Sequence, residues 1–154
     1  MPSIALDDLT VNNLGVFNKI TAPKVYPEAY LKASQESGEL AQYAYFSEVS
    51  VGVITSKTLQ PVNSKSPIGL LIEVIAVLES YSKKFDVELK LVEHIEQVAE
   101  KRHLKKVYVL LKKEDQSEWM VKFFNGRGFE KEDANAELYK GLGLGDGLLL
   151  KKEL

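Results

Sequence analysis

The sequence predicts an α/β fold, of the α+β kind, in which a mixed and twisted sheet is flanked by helices. The prediction rests on apolar patterning and on length. Segments with alternating or continuous apolar residues, which are typical of strands, are interspersed with segments whose apolar residues recur at helical spacing. The chain has 154 residues, a length typical of one domain. We therefore predict a single domain over residues 1–154.

The first sixty residues are predicted to contain a strand, two helices and a pair of strands. Residues 3–6 alternate weakly, which indicates an edge strand. Apolar residues every three positions predict a helix over residues 11–20. A second helix is predicted over residues 27–35, because a proline at its start suits the first helical turn. Residues 40–46 and 51–59 alternate and are rich in β-branched and aromatic side chains, which predicts two strands.

The remaining elements alternate between strands and helices. A nearly continuous apolar segment at 68–78 predicts a strand buried on both faces, and residues 89–99 carry one apolar stripe at helical spacing. A buried strand is predicted at 107–111, and an aromatic-rich helix at 114–125 that ends at Gly126 or Gly128. Closing strands are predicted from residue 129 onward, at 136–140 and at 148–154. The glycine-rich residues 141–147 indicate a turn or bulge, because no helix follows them.

The composition excludes several kinds of site. The chain has no cysteine, which excludes disulfides, thiolate metal sites and cysteine nucleophiles. Its two histidines, His94 and His103, lack metal-ligand spacing and are predicted to be surface residues, so we expect no metal site. The formal net charge of −2 disfavours general nucleic-acid binding. We interpret the basic residues 101–106 as a solvated helix end, with contact to RNA or to an acidic partner as the alternative.

No segment of the sequence predicts membrane insertion. The longest near-apolar segment, at 68–78, is interrupted by Glu73 and is far shorter than the roughly 20 residues needed to cross a bilayer. The N-terminal residues are acidic and lack the features of a signal peptide. We therefore expect a soluble protein in the cytoplasm.

Two sets of residues resemble known acetyltransferases. The strand at 68–78, the loop after it and the helix at 89–99 resemble the central motif of the GNAT superfamily of N-acetyltransferases, and residues 125–130 (Asn-Gly-Arg-Gly-Phe-Glu) resemble a later motif of that superfamily. A closer resemblance, to the divergent, yeast-like branch of the NatE catalytic-subunit family (the separation-anxiety proteins), is carried by Pro23-Lys24-Val25-Tyr26, by residues 38–46 and 51–52, and by Tyr139 with residues 150–152. It covers nearly the whole chain and implies one GNAT domain.

The resemblance implies a cofactor, partners and a reaction. Members of that family dock onto the ribosome-associated NatA complex, which has a large helical-repeat auxiliary subunit and a catalytic subunit, and so reach the ribosome indirectly. They transfer an acetyl group from acetyl-CoA to the α-amino group of nascent chains that begin with Met and an apolar residue. This chemistry needs a grip on the CoA pyrophosphate, a base for the amine, and stabilisation of the oxyanion and the departing thiolate.

The loop that holds the pyrophosphate in the family is altered in this sequence. GNAT enzymes use Arg/Gln-x-x-Gly-x-Gly/Ala at a helix N-terminus, where backbone N–H groups attract phosphates. The matching cofactor-binding positions are Lys83, Lys84, Asp86 and Glu88, with Val77 on the preceding strand, so carboxylates stand at both glycine positions. Like charges about 4 Å apart repel by about 4 kcal/mol near a protein surface. We favour the interpretation that Asp86 caps the helix, Glu88 complements its dipole, and the protein fills its own anion site.

The proton-transfer residues of the family are also replaced. The resemblance places the family's Tyr of the fourth strand at Leu71 and its His of the fifth strand at Leu110, and neither leucine can accept a proton. Glu73 is a substitute base if burial in its strand raises its pKa, but a structural carboxylate is the favoured interpretation. Tyr108 has the same two interpretations, and a packed strand tyrosine is favoured. We therefore expect no catalytic residue.

Other family positions are retained in part. The tyrosine that protonates the departing thiolate corresponds to Phe124, and a CoA-binding asparagine on the same helix corresponds to Ser117. On the substrate side, Pro23, Tyr26 and Tyr139 match residues that line the peptide site in the family. These three could equally be packing residues.

Together, the replacements predict a NatE-type subunit of the NatA complex with little or no acetyltransferase activity and no bound acetyl-CoA. Such a subunit would have a structural or regulatory role. The alternative is an active, acetyl-CoA-dependent amino-terminal acetyltransferase that uses a displaced base such as Glu73.

Overall fold

The computed structural model describes residues 3–154, which form one mixed sheet with flanking helices. The strands are β1 (Ile4–Asp8), β2 (Ala41–Phe46), β3 (Val49–Leu59), β4 (Gly69–Val77), β5 (Lys106–Leu111), β6 (Glu130–Glu132) and β7 (Leu148–Glu153). The α-helices are α1 (Phe17–Thr21), α2 (Glu28–Glu36), α3 (Val87–Lys101) and α4 (Glu118–Gly126). The strand order is β1-β2-β3-β4-β5-β7-β6. β4 and β5 pair in parallel, whereas β1 with β2 and β5 with β7 are antiparallel. The predicted fold class is confirmed.

The described chain packs as two compact units. The first unit contains the chain up to Ser56 together with Val74–Val98, and the second contains Lys57–Glu73 and Ala99–Leu154. The organisation of the chain as a single domain stays a prediction.

In the first unit, α3 lies close to β3 because the strand carries a glycine. A Cβ atom on Gly52 would lie 3.1 Å from Val87 Cγ1 and 3.3 Å from Leu91 Cδ1, both on α3. Val87 and Leu91 are fully buried; Leu91 lies within the predicted stripe of residues 89–99, whereas Val87 precedes it, because the helix begins two residues earlier than predicted. A larger residue at position 52 would push the helix away from the sheet.

In the second unit, the parallel ladder of β4 and β5 forms the centre of an apolar cluster. The paired residues are Leu70 with Val107, Leu71 with Tyr108 and Ile72 with Val109. Residues of β7 pack beside them, and Leu149 and Leu150 are each 1% exposed. The edge strand β6 is only three residues long and consists of charged residues, which disfavours pairing with another chain.

Three predicted elements differ from the structure. The helix predicted over 114–125 begins only at Glu118, after a separate 3₁₀ turn at Lys113–Asp115. Residues 11–20 are a 3₁₀ helix, Val11–Val16, followed by the short α1. The side chain of Asn13 accepts a hydrogen bond from Thr10 N–H at 2.7 Å, and this local capping replaces a regular first turn. The predicted strand at 136–140 is wrong, because Glu137–Tyr139 form a 3₁₀ helix. The alternation of polar and apolar residues in that segment arises from a 3₁₀ turn that directs Tyr139 inward, and not from a strand.

Neither a membrane span nor a metal cluster is found in residues 3–154. No helix there combines the length and apolar character needed to cross a bilayer. No group of three or more His, Asp or Glu side chains in the same residues is arranged to hold a metal ion. His94 is partly buried and not a plain surface residue, since its Nε2 lies 2.8 Å from the carbonyl oxygen of Glu39.

Candidate functional site

The loop between β4 and α3 folds around the side chain of Glu88. Glu88 lies in the first turn of α3 and is only 3% exposed. Ser82 Oγ donates a hydrogen bond to Glu88 Oε2 at 2.7 Å, and Lys83 N–H lies 3.2 Å from both carboxylate oxygens. A buried carboxylate requires such donors, because burial without hydrogen bonds is costly. The buried Glu88 carboxylate therefore holds the loop in place through these hydrogen bonds to Ser82 and Lys83.

The backbone of the same loop has a conformation that normally belongs to glycine. Lys83, Phe85 and Asp86 have φ angles of 65°, 58° and 57°. Left-handed conformations of this kind cost on the order of 1–3 kcal/mol each for residues other than glycine. Asp86, which the resemblance places at the first glycine position of the family pattern, is one of these left-handed residues.

The interpretation that Asp86 caps α3 is correct for its backbone only. The carbonyl oxygen of Asp86 accepts a hydrogen bond from Lys90 N–H at 3.0 Å, as an N-cap residue does. Its exposed carboxylate accepts no hydrogen bond from residues 3–154. Its backbone φ of 57° also differs from the extended backbone of a residue whose side chain caps a helix. The carboxylate that satisfies the loop is that of Glu88.

The pyrophosphate of acetyl-CoA does not fit this loop as it stands. A phosphate at a helix N-terminus is held by backbone N–H and hydroxyl donors. Here Ser82 Oγ and Lys83 N–H already serve the Glu88 carboxylate, whose negative charge would also repel a phosphate. Lys83 and Lys84 are exposed, and Val77 is half-buried at the end of β4.

The loop between α1 and α2 carries two of the expected substrate-binding residues. Pro23 is exposed and Tyr26 is half-buried. The Asn18 side chain accepts from Tyr26 N–H at 2.8 Å and donates to the Tyr26 carbonyl at 3.1 Å. The Tyr26 ring packs against Phe17 and Tyr30, at centroid distances of 5.5 and 5.2 Å. Tyr26 is therefore held rigidly.

The positioning role of Asn18 is absent from the sequence-based prediction. An asparagine within a helical segment carries no local signal for a contact eight residues away. The sequence indicates only that an asparagine side chain can accept a hydrogen bond from the N–H of a residue and donate one to the C=O of the same residue.

In the second unit, the two positions of the family's bases lie in an apolar environment. Leu71 is 3% exposed and packs in a cluster with Tyr108, Tyr139, Leu144 and Leu149, among other residues. Leu110 packs against the same cluster. Neither leucine can accept a proton; Leu71 is buried in the cluster and Leu110 is half-buried beside it.

Tyr108 and Tyr139 belong to a buried hydrogen-bond network. The Tyr139 hydroxyl donates to Glu132 Oε2 at 2.6 Å, and the hydroxyl oxygens of Tyr139 and Tyr108 lie 3.2 Å apart. Lys151 Nζ lies 3.1 Å from the same Glu132 oxygen. Burial raises the pKa of Tyr108, and burial together with the bond to Glu132 raises the pKa of Tyr139. Both tyrosines therefore stay protonated and serve as packed hydrogen-bonding groups.

Glu73 was considered as a substitute base on the condition that it is buried in its strand, and the structure shows that it is not buried. Its residue is exposed on β4, and its Oε2 lies 3.3 Å from Lys57 Nζ. The structure therefore places Glu73 in an ion pair with Lys57 on the exposed side of β4.

The two family positions on α4 have structural roles. Ser117 is the N-cap of α4, and its Oγ accepts a hydrogen bond from Met120 N–H at 3.1 Å. Phe124 is completely buried and packs edge-to-face on Phe129, with ring centroids 5.1 Å apart. Within this chain their contacts are those of a cap and a core residue, and their place in the cofactor region stays a prediction.

The Glu132 network predicts a loss of stability in acid. The bond from Tyr139, followed by the pairing with Lys151, lowers the pKa of Glu132 in the folded state. A lowered folded-state pKa stabilises the protein above the ordinary carboxylate range, and this contribution is lost as the pH falls through the lowered value. We expect the difference in Tm between the wild type and Glu132→Gln to shrink from pH 7 to pH 3.

Thermal melts followed by circular dichroism measure that difference. The control is Glu130→Gln, an exposed residue on the same strand, whose Tm difference from the wild type should stay small at every pH. A Glu132→Gln difference that is constant from pH 7 to pH 3 would contradict the prediction.

Comparisons with known proteins agree with the fold and the resemblance. No protein-family model matches the sequence. Over 158 residues the chain is 31% identical to the uncharacterized N-acetyltransferase C663.13c of Schizosaccharomyces pombe, in a match that covers 98% of this chain and 99% of that protein. It is 27% identical to N-alpha-acetyltransferase 50 of Danio rerio, over 98% of this chain and 89% of that protein.

A solved structure shows the same architecture. Arabidopsis thaliana Naa50, in complex with the bisubstrate analogue CoA-Ac-MVNAL, superposes with a TM-score of 0.75 at 22% identity, over 99% of both chains. At that identity the likeness establishes the fold. With the fission-yeast relative matched over nearly its whole length, this chain belongs to the N-acetyltransferases of the GNAT superfamily, in the family of the NatE catalytic subunits.

Proposed function

We propose that the chain is a NatE-type subunit of the cytoplasmic NatA amino-terminal acetyltransferase complex that has lost most or all acetyltransferase activity. Its role is to support or modulate the active partner. The partners are the large helical-repeat auxiliary subunit and the catalytic subunit, and contact with the ribosome is indirect.

The observation that carries the proposal is the buried carboxylate of Glu88. It takes the hydroxyl and backbone donors of the loop at which the family holds the pyrophosphate. The burial of Leu71 and the packing of Leu110 support the same proposal, because neither position offers a proton acceptor. An enzyme needs both a held cofactor and a base, and the residues for each are replaced here.

The membership in the NatE family supports the assembly. Relatives such as N-alpha-acetyltransferase 50 match the chain over nearly its whole length, so the similarity is not confined to the altered cofactor loop and its surroundings. A chain that keeps the fold but loses acetyltransferase activity can still act as a subunit of the NatA complex.

Calorimetry with acetyl-CoA tests the loss of cofactor binding. We expect no heat of binding up to about 1 mM acetyl-CoA, which corresponds to less than about 4 kcal/mol of binding free energy. Micromolar binding would overturn the inactive assignment and favour the alternative, an active acetyltransferase of chains that begin with Met and an apolar residue.

Reconstitution with purified subunits tests the assembly separately. The chain should co-elute with the purified auxiliary and catalytic subunits of NatA in gel filtration. Elution apart from them at micromolar concentrations of every component would contradict a role as a subunit of that complex.

A further inference from the structure

We propose that Ser66 is a phosphorylation site for a proline-directed protein kinase that uses Mg·ATP. Ser66 lies in the second unit, in the loop between β3 and β4. That loop carries none of the positions considered above for the cofactor or the substrate, so the inference goes beyond the proposed function and does not depend on it.

The sequence contains one position with the pattern that such a kinase recognises. Of the five prolines in the chain, only Pro67 follows a serine or a threonine. Proline has no N–H, so it suits an active site that offers no hydrogen-bond acceptor to the residue after the serine. Any other residue there would leave its N–H without a hydrogen bond, which costs free energy. The Ser66-Pro67 pair is therefore the one candidate of this class.

The hydroxyl of Ser66 is accessible and takes no part in holding the fold. Ser66 is exposed, and its Oγ makes no hydrogen bond to another residue in the described part of the chain. Its neighbour Ser64 differs, because Ser64 Oγ donates to the Ser66 carbonyl at 2.7 Å and accepts from the Ser66 N–H at 3.3 Å. A kinase can therefore bind the Ser66 hydroxyl without taking it from a partner.

The loop between β3 and β4 is fixed at its base and irregular at its tip. Ile68 N–H donates to the Leu59 carbonyl at 2.8 Å, which closes the base. Ser64 N–H donates to the Pro61 carbonyl at 3.0 Å, which forms a turn on the β3 side. Residues 65–67 belong to no helix or strand. They can therefore enter the active site of another protein without the loss of a regular element.

Phosphorylation would change the charge of this surface. The Ser66 oxygen bonds to the γ-phosphorus of ATP, the bond from that phosphorus to the β,γ-bridging oxygen breaks, and ADP leaves with the electron pair. The hydroxyl proton passes to the catalytic aspartate of the kinase. The phosphate adds about 1.5 to 2 negative charges at pH 7 to a chain whose formal net charge is −2. Modification therefore nearly doubles the net charge, a change that can make or break contacts with a partner.

Incubation of the folded full chain with a purified proline-directed kinase and Mg·ATP tests the site. Peptide mass spectrometry locates the phosphate, and circular dichroism confirms that each variant is folded. We expect one phosphate per chain, on Ser66, and none in Ser66→Ala. Pro67→Ala should be modified about tenfold more slowly than the wild type, because alanine introduces an N–H that lacks an acceptor in the kinase.

Ser64→Ala is the matched control, since it removes the neighbouring hydroxyl but keeps the Ser66-Pro67 pair. It should be phosphorylated at least as fast as the wild type, because Ser66 then loses only bonds that hold its backbone. No phosphate on the folded wild type, or phosphate mainly on Ser64 or another hydroxyl, would refute the proposal. Modification of Pro67→Ala at the wild-type rate would also refute it. The readout contains neither acetyl-CoA nor NatA subunits, so its result is independent of the tests of the proposed function.

Discussion

Gly69→Ala is expected to lower the free energy of unfolding by about 3 kcal/mol, the upper part of the range for overpacking. A Cβ atom at position 69 would lie 2.4 Å from the carbonyl oxygen of Lys106. Because that atom belongs to the backbone of β5, relief requires the strand itself to shift. The shift would disturb the ladder that places Leu71 opposite Tyr108.

Urea unfolding followed by circular dichroism measures this effect. Gly126→Ala is the control in the same unit, since a Cβ atom at position 126 would have no neighbour within 4 Å and α4 favours alanine there. It should be as stable as the wild type or up to about 1 kcal/mol more stable. A Gly69→Ala protein with wild-type stability would show that β4 and β5 do not approach as described.

The double variant Asp86→Gly with Glu88→Gly is expected to gain acetyl-CoA binding. Removal of Glu88 frees Ser82 Oγ and Lys83 N–H for a phosphate, and glycine suits the left-handed backbone at position 86. Loss of the carboxylate also removes a repulsion of about 4 kcal/mol. We expect Kd to fall at least tenfold, into a range that calorimetry detects.

Two further variants distinguish the effect of the Glu88 charge from the effect of the space that its side chain occupies. Glu88→Gln removes the charge but keeps a side chain in the loop, so its gain should be smaller than that of Glu88→Gly. Glu36→Gln, an exposed residue of α2 in the same unit, controls for net charge and should give no gain. If the double variant folds and binds no better than the wild type, Glu88 is not what prevents binding.

The elements with strong periodicity were predictable from the sequence. The continuous apolar segment predicts β4, and the apolar stripe after it predicts α3. Burial of both faces of a strand gives a continuous apolar segment, and burial of one face of a helix gives apolar residues at helical spacing. The segment 136–140 was not predictable in this way. Leu138 is 47% exposed and Tyr139 is 3% exposed, since the 3₁₀ turn directs only the tyrosine inward. A five-residue alternation cannot distinguish that turn from a strand.

The candidate site was predictable in its chemistry but not in its contacts. The replacement of the loop glycines and of both proton-transfer residues can be read from Asp86, Glu88, Leu71 and Leu110 alone. Which carboxylate would enter the loop could not be read, because Asp86 is the better N-cap by residue type. The roles of Asn18 and Glu132 were also hidden, since each depends on a residue brought near by the fold.

The residue types alone specify which chemical groups are available: no thiol, no base at the family positions, and carboxylates at the loop. Residue types fix that chemistry in any conformation. The folded structure was needed to show that Glu88 turns inward to Ser82 and Lys83, and that Tyr139 bonds to Glu132. Those pairings depend on directions and on distances of about 3 Å, which a local pattern of polarity does not encode.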